Sequence, residues 1–565
     1  MKPLLIYSEY DAFNLKNNFI NDLNGDALNF DYKSDKPIDE YIDDLLNEKL
    51  EENTYDVIFI PYSLSFNYVE FLGLRVACHI RLSKRFNHVQ TPIVFYGLDD
   101  IVEISKFSNL YTIFSTKNIF TTDKISIESF KKWCAYVLNN TAKNESDIDF
   151  MKHFTSNVII KIPSSYEDHH SIANEWAIYR WAKLLNASDD GIERIEKNIN
   201  QNLYFKYLKA AYPVKSSDEA VNLKIENSKN KKVIYIDDEA DKGWYEIFCN
   251  ILYDKNQIDF NYLDLDTFKD RSREEIINAT IKNVEEYDPE IVILDFRLHP
   301  DDFGGTKIEN VTGYNILKQI KKINPGIQVI IFSATNKVWN LEKLNAAGAD
   351  GFIIKESPEN SVNPNFTKES IQNFVDAMSL AVKKSFLKVM FTDFEEVQQY
   401  LLQKKNDKII SKDFYGEVLR WLKLSNLVFK NRKTTDDEIL SSFMLKFSVI
   451  ETIANFKIDL EPKKDSQGNN YFLFKNPEAK LYNFEKGKPK NIFSSNKTNI
   501  PWSIKIQNTF YFINKDEFDY KIVEGLVEKR NSLVHLDITQ KKKLEITIDD
   551  ILTINRIVKN GLINL

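Results

Sequence analysis

The chain has 565 residues, 43% of them apolar and 28% charged, with a formal net charge of −8. That length exceeds what one hydrophobic core holds and divides into three or four domains, and the composition is that of an ordinary globular protein. No run approaches the ~20 apolar residues of a membrane span, the N-terminus turns acidic and aromatic too early for a signal peptide, and Cys78, Cys134 and Cys249 lie too far apart for a disulfide framework or zinc site, so a cytoplasmic location is expected.

Residues 1–140 open the element order. PLLIYSEYDA, YDVIFIPYSL, TPIVFYGLDD and YTIFST are short, continuous apolar runs with helix-length spacers, the pattern of parallel strands buried on both faces. Residues 141–230 follow as a polar, helical connector that includes SIANEWAIYRWAKLL. The strand–helix pattern then repeats more clearly over 231–390, in KKVIYIDDEA, PEIVILDFRL, IQVIIFSATN and DGFIIKES, and ends in one long amphipathic helix, ESIQNFVDAMSLAVKKSFLKVM. Residues 391–565 read as helical, with EILSSFMLKFSVIETIANF, DYKIVEGLVEKRNSLVHL and IDDILTINRIVKNGL around a polar, loop-rich insert near 461–500. The expected architecture is two flavodoxin-like, doubly wound parallel-sheet domains, a helical connector and a C-terminal helical bundle. From Asn431 onward 22 Lys and Arg face 18 Asp and Glu, a local +4 that leaves −12 for the rest. Only the tail leans towards a polyanionic partner.

In a parallel α/β sheet the loops at the carboxyl ends of the strands converge on one crevice. In the second repeat this brings Asp237, Asp238 and Asp295 together with Ser333 and Lys355. Three carboxylates suit Mg²⁺, which prefers oxygen ligands and retained waters. A carboxylate beside such a metal can attack a phosphoryl group, and the lysine and hydroxyl can bond the phosphate that results.

The order IDD…ILD…FSA…IIK closely resembles the receiver domain of two-component response regulators. The resemblance implies that Asp295 is the phosphoacceptor, that Asp237, Asp238 and Asp295 hold Mg²⁺, that Ser333 and Lys355 contact the phosphate and that Phe352 is the aromatic switch. It also implies a sensor histidine kinase or phosphotransfer protein as partner. Two departures stand out. Glu356 follows the lysine where the family has proline, and the loop FRLHPDDFGGTKIENVT after Asp295 is about ten residues longer than typical. Aligned on this repeat, the first one places Pro61 at the acceptor, Ser8 and Glu9 at the metal acids and Gly97 at the hydroxyl. It resembles a degenerate receiver, for which a partner-binding or dimerising role is expected. In the connector His170 and Asn174 share a helix face, a faint likeness to the histidine phosphotransfer box; packing of Trp176 and Trp181 is the plainer reading.

The tail contains no short helix–turn–basic helix, so sequence-specific DNA binding is not expected. It resembles instead a HEPN domain, a helical bundle whose late helices carry Arg-x4–6-His, here Arg530-Asn531-Ser532-Leu533-Val534-His535. The same spacing occurs at Arg81 and His88 in the first repeat, so context rather than spacing carries the likeness. Asn531 and His535 share a helix face beside Arg530. RNA supplies its own nucleophile in the 2′-OH, so a histidine to move a proton and an arginine to stabilise charge suffice without metal. The resemblance implies RNA as substrate and a homodimer that pairs two motifs in one cleft. Lys486, Lys488 and Lys490 in the insert and the run Lys541–Lys543 could line an RNA path or merely be solvated. The chain thus reads as a response regulator with a HEPN ribonuclease output, in stress or anti-phage defence. Its rival is a non-enzymatic, phosphorylation-dependent scaffold.

Overall fold

The computed structural model describes residues 1–10, 15–33, 35–141, 145–162, 169–214, 225, 231–252, 258–302, 307–334, 338–430, 435–475, 477–485, 488–495, 498–513, 520–534 and 545–565. The first unit alternates β1 (Pro3–Tyr7), α1 (Lys16–Leu23), β2 (Asp26–Asn29), α2 (Ile38–Leu50), β3 (Val57–Pro61), α3 (Leu72–Leu82), β4 (Ile93–Tyr96), α4 (Ile101–Phe107), β5 (Ile119–Thr122) and α5 (Ile127–Asn140). Its five strands are parallel in the order β2-β1-β3-β4-β5, and β3 and β4 are buried throughout, as their apolar runs require.

The expected last strand, Tyr111–Thr116, is instead a 3-10 turn, Asn109–Ser115. Its inward residues, Leu110, Ile113 and Thr116, recur every third position, the period of a 3-10 helix and not of a strand. The strand proper starts after Asn118, whose φ of 57° makes the corner.

The connector comprises α6 (Asp147–Asn157), α7 (His169–Leu185), α8 (Asp190–Gln201) and α9 (Leu203–Ala211). The second unit follows as β6 (Lys231–Ile236), α10 (Trp244–Leu252), β7 (Ile258–Tyr262), α11 (Arg273–Tyr287), β8 (Ile291–Leu294), α12 (Thr312–Ile323), β9 (Gln328–Ser333), α13 (Val338–Ala346), β10 (Gly351–Ile354) and α14 (Phe366–Lys384). Its sheet, β10-β9-β8-β6-β7, is parallel with the same winding. One continuous core joins the two units. It takes Ile58, Ile60 and Phe95 from the first sheet, Trp176 and Trp181 from α7, and Tyr235, Phe332 and Phe374 from the second unit.

The long exit helix is two helices. α14 packs on the second sheet, and α15 (Phe386–Asn406) starts after a break at Ser385, whose hydroxyl donates to the Val382 carbonyl. The break is fixed by the second unit itself: Asn324 donates to the Lys388 carbonyl at 3.0 Å, and the Leu387 backbone passes so close to Gly326 that a Cβ there would lie 2.3 Å away. The tail continues with α16 (Lys412–Leu427), α17 (Asp436–Lys457), β11 (Ile458–Lys464), β12 (Asn470–Lys475), β13 (Glu478–Lys480), β14 (Tyr482–Glu485), β15 (Lys488–Ile492), α18 (Trp502–Ile513), α19 (Tyr520–Val534) and α20 (Ile548–Ile563). The insert expected to be loop is antiparallel ribbon, β11-β12-β13 and β14-β15. Phe472, Phe474, Leu481 and Phe493 anchor it on the helices while neighbouring positions face solvent. α17 is long and apolar enough to cross a membrane by length and composition, contrary to the reading of the sequence, yet Phe443, Phe447, Ile450 and Ile453 form the core of the tail.

Candidate functional site

The carboxyl ends of β6, β8, β9 and β10 bring together the five residues picked out by the sequence. Asp237, Asp295, Ser333 and Lys355 are buried and Asp238 is exposed. Lys355 Nζ donates to Asp237 Oδ2 at 2.6 Å and lies 3.4 Å from Asp295 Oδ2. The backbone finishes the placement: the Glu239 N–H donates to Asp237 Oδ1 (2.8 Å) and the Phe296 N–H to Asp295 Oδ1 (2.6 Å). The Tyr235 hydroxyl also donates to Asp237. Burial pushes the Asp237 carboxyl up against the opposing pull of Lys355. Burial also disfavours charge on Lys355, but the two carboxylates outweigh it and hold the ammonium protonated.

One oxygen each from Asp237, Asp238 and Asp295 falls within 4.8 Å of the others, a donor set suited to a hard divalent cation. Ser333 Oγ is buried and has no hydrogen-bond partner among the described residues. A buried hydroxyl left so is costly unless something else bonds it, and a phosphate oxygen would. Phe352, half-buried on β10, pairs in register with Ile331. The long loop after Asp295 is tied down by buried Asp302, which accepts from the N–H groups of Leu298, His299 and Thr312 and from Arg273 Nε; residues 303–306 of that loop lie outside the described residues.

Glu356 has a function that the sequence did not disclose. It is fully buried and pairs with Arg180 of α7 at 2.6 Å, while the Ser361 and Thr367 hydroxyls each donate to it at 2.8 Å. Arg180 also donates to Thr367 and to the Tyr212 carbonyl. The residue beside Lys355 therefore clamps the connector to the second unit. Asn174, on the same helix, accepts from Trp244 Nε1, and Trp176 Nε1 donates to Ser361. That face of α7 is packed, in keeping with its plainer reading; the His170 side chain lies outside the described residues.

In the first unit the register corrects the alignment by one residue. β1 pairs β3 with Leu4 opposite Ile58, as β6 pairs β8 with Ile234 opposite Val292. Tyr7 and Ser8, not Ser8 and Glu9, therefore stand where Asp237 and Asp238 do. Pro61 and Gly97 keep their assigned places, and the Tyr62 ring fills the space beside Gly97, where a Cβ would lie 2.3 Å from Cδ2. The pairing of Tyr96 with Thr122 matches that of Phe332 with Ile353, which puts Lys124 at the place of Lys355. The cation position is kept while the acids are gone. The sequence missed this because the last strand was taken too early. Arg81, which shares the Arg-x4–6-His spacing with His88, is a buried strut whose guanidinium donates to the carbonyls of Val89, Thr91 and Asn118.

In the tail Arg530 and Asn531 are half-buried on α19; His535 lies outside the described residues, as do Lys486 and Lys541–Lys543. The Arg530 guanidinium stacks on Trp502 of α18 at 3.9 Å from the ring centroid and contacts Asn531 Oδ1 at 3.4 Å. Among the described residues it meets neither Glu524 nor Glu528. Lys488 and Lys490 sit on exposed β15, and Lys490 pairs with Glu485.

Residues 14–122 match the family model of the inactive receiver domain. No curated protein matches the chain. Similar solved structures include a DNA-binding response regulator of the LuxR family from Staphylococcus aureus (20% identity, 27% of this chain and 98% of that one, TM-score 0.18) and a CheY-like response regulator receiver domain protein from Methanospirillum hungatei JF-1 (20% identity, 26% and 95%, TM-score 0.17). A third is NtrX from Brucella abortus (20% identity, 30% and 31%, TM-score 0.20). The first unit is thus similar to an inactive receiver domain.

Proposed function

We propose that the second unit is a phosphoryl-accepting receiver and that the helical tail is its RNA-cleaving, HEPN-type output. The observation that carries the first half is Lys355 lying between Asp237 and Asp295 in a buried crevice with a Ser333 hydroxyl that has no partner among the described residues. Asp295 Oδ attacks the phosphorus of a phosphodonor, such as a kinase phosphohistidine. The new O–P bond forms as the donor's P–N bond breaks, and the leaving imidazole takes up a proton. Asp237, Asp238 and Asp295 would hold Mg²⁺, which when bound neutralises phosphoryl oxygens. Lys355 then pairs with the phosphate and Ser333 donates to it. The first unit, with Pro61 at the acceptor position, takes no phosphate and serves as a binding partner for the connector.

For the output, His535 takes the proton of an RNA 2′-OH, the oxygen attacks the adjacent phosphorus as the P–O5′ bond breaks, and the leaving 5′ oxygen takes a proton from water, giving a 2′,3′-cyclic phosphate. Arg530 and Asn531 stabilise the charge that develops, and a homodimer pairs the two motifs. A specific observation favours a second reading: the Arg530 guanidinium is engaged on Trp502, as a structural arginine would be, and the tail is then a phosphorylation-dependent scaffold. Purified protein incubated with acetyl phosphate, Mg²⁺ and mixed RNA separates them. One phosphate lost in Asp295→Asn supports the receiver, and labelling that persists in that variant removes it. Cut RNA supports the nuclease, and intact RNA with both phosphorylated and unphosphorylated protein leaves the scaffold.

A further inference from the structure

The end of α3, the side of α6 and the C-terminal part of α9 enclose a cavity of about 370 Å³ away from both strand-end sites. Five cationic side chains line it: Lys84, Arg85, Lys152, Lys206 and Lys209. Their counter-charges are few. Asp43 is shared by Arg85 and Lys206, the latter at 2.6 Å, and Lys152 has Asp149 at 3.7 Å. Lys209 donates to neutral Asn200, and Lys84 has no ion pair among the described residues. Burial, opposed by Glu196 and helped by the nearby charges of Lys183, Arg85 and Lys84, pulls the Lys209 ammonium down. The unit as a whole is acidic, so this surplus is local. The wall beside it is apolar: Met151 and Pro213 line the cavity, and Ile148 is 52% exposed at its edge.

A surplus of positive charge next to an apolar wall, in a cavity at the small end of ligand-site volumes, fits a compact polyanion that also carries a ring. We infer that this cleft binds a nucleotide, with the phosphates on Lys84, Lys152 and Lys209 and the base against Met151 and Ile148. The site sits on the joint between the first receiver and the connector. Lys206, at its back, is bonded to Asp43 and to His79, and Asp39 beside His79 accepts from the Leu203 N–H at the start of α9. An occupant would therefore bear on how the connector seats against the first sheet.

Calorimetry of the full chain in EDTA, which keeps the acid cluster free of metal, tests this with ATP, GTP and inorganic phosphate as probes. At least one nucleotide should bind at micromolar concentrations and phosphate far more weakly, because it lacks the ring. Lys84→Glu and Lys152→Glu change exposed side chains outside the Asp43 network, so folding is preserved. Each should weaken binding about tenfold or more, the usual loss of a charge-assisted contact. Lys131→Glu on α5, an exposed lysine outside the cleft, should leave binding unchanged. The inference is overturned if neither nucleotide binds below about 1 mM, if phosphate binds as well as ATP, or if the cleft variants bind normally. It is also overturned if a single-stranded RNA oligonucleotide binds there in place of the mononucleotides.

Discussion

Arg180→Met isolates the clamp between the connector and the second unit. The pair it breaks is buried on both sides, with Arg180 1% and Glu356 0% exposed. Removing one partner of such a pair costs about 3–5 kcal/mol because it strands a desolvated charge. Here the Ser361 and Thr367 hydroxyls still donate to Glu356, so the lower end, about 3 kcal/mol, is expected at pH 8. Burial already raises the Glu356 carboxyl, opposed by Arg180, and without the guanidinium it rises further. The folded variant then binds a proton that the unfolded chain does not, from the ordinary carboxylate pKa up to the raised folded one. Stability therefore falls as pH rises through that window, and the variant's deficit is smaller at pH 5 than at pH 8. Guanidinium unfolding followed by tryptophan emission reads this directly, since Trp176, Trp181 and Trp244 are buried in the shared core. The double variant Arg180→Met with Glu356→Leu should recover much of the loss, because an apolar pair of similar volume strands no charge. A deficit under about 1 kcal/mol, or one that grows in acid, would refute the clamp.

Mg²⁺ should change the fluorescence of Trp244, whose ring lies 5.9 Å from Lys355 Nζ, and Asp237→Asn with Asp295→Asn should remove the whole response; a residual titration would point to metal in the first unit. Lys446, buried in the tail and bonded to Asn555 at 2.6 Å, is pushed down to about 7 by burial. The unfolded chain thus binds the extra proton between pH 7 and the ordinary lysine pKa, so the stability of the tail should rise with pH across that interval, and Lys446→Met should flatten the rise in denaturant melts at pH 7 and 9. His535→Ala should slow RNA cleavage by ~10²–10⁴-fold and Arg530→Ala should slow it with the fold retained by circular dichroism, while EDTA leaves cutting by active dimer intact; normal cleavage by His535→Ala would end the nuclease reading.

The central strands were legible because each is buried on both faces and reads as an unbroken apolar run, and the residue just past each run falls in the crevice. That is why Asp237, Asp295, Ser333 and Lys355 could be placed from sequence. The edge strands were not legible. β2 and β7 have one or two buried positions each, which in sequence look like any polar stretch. The ribbons of the tail hid for the same reason, although DSQGNN carries a turn glycine at Gly468 with φ of 83°. Glu356 could be seen as a departure but not explained, since its partner is far upstream on α7 and only folding brings the two together. The one-residue slip at Tyr7 and Ser8 arose because apolar runs fix a strand's existence better than its register.

The core that runs from the first sheet through α7 into α14 has a consequence for how the chain can be taken apart. A cut near residue 140 or 230 would bare Trp176, Trp181 and Phe205 on one fragment and leave the other sheet with an uncovered face, and neither piece would keep a closed interior. At Ser385 the situation differs: the side chains before it belong to the first core cluster and those from Phe386 onward to the cluster of the tail. Separating the chain at that seam would leave a closed interior on either side, so amide exchange should show the described residues before Ser385 opening as one block, apart from those of the tail. In an evolutionary exchange of parts, the pair of sheets would move together and the helical tail would be the piece that can be swapped.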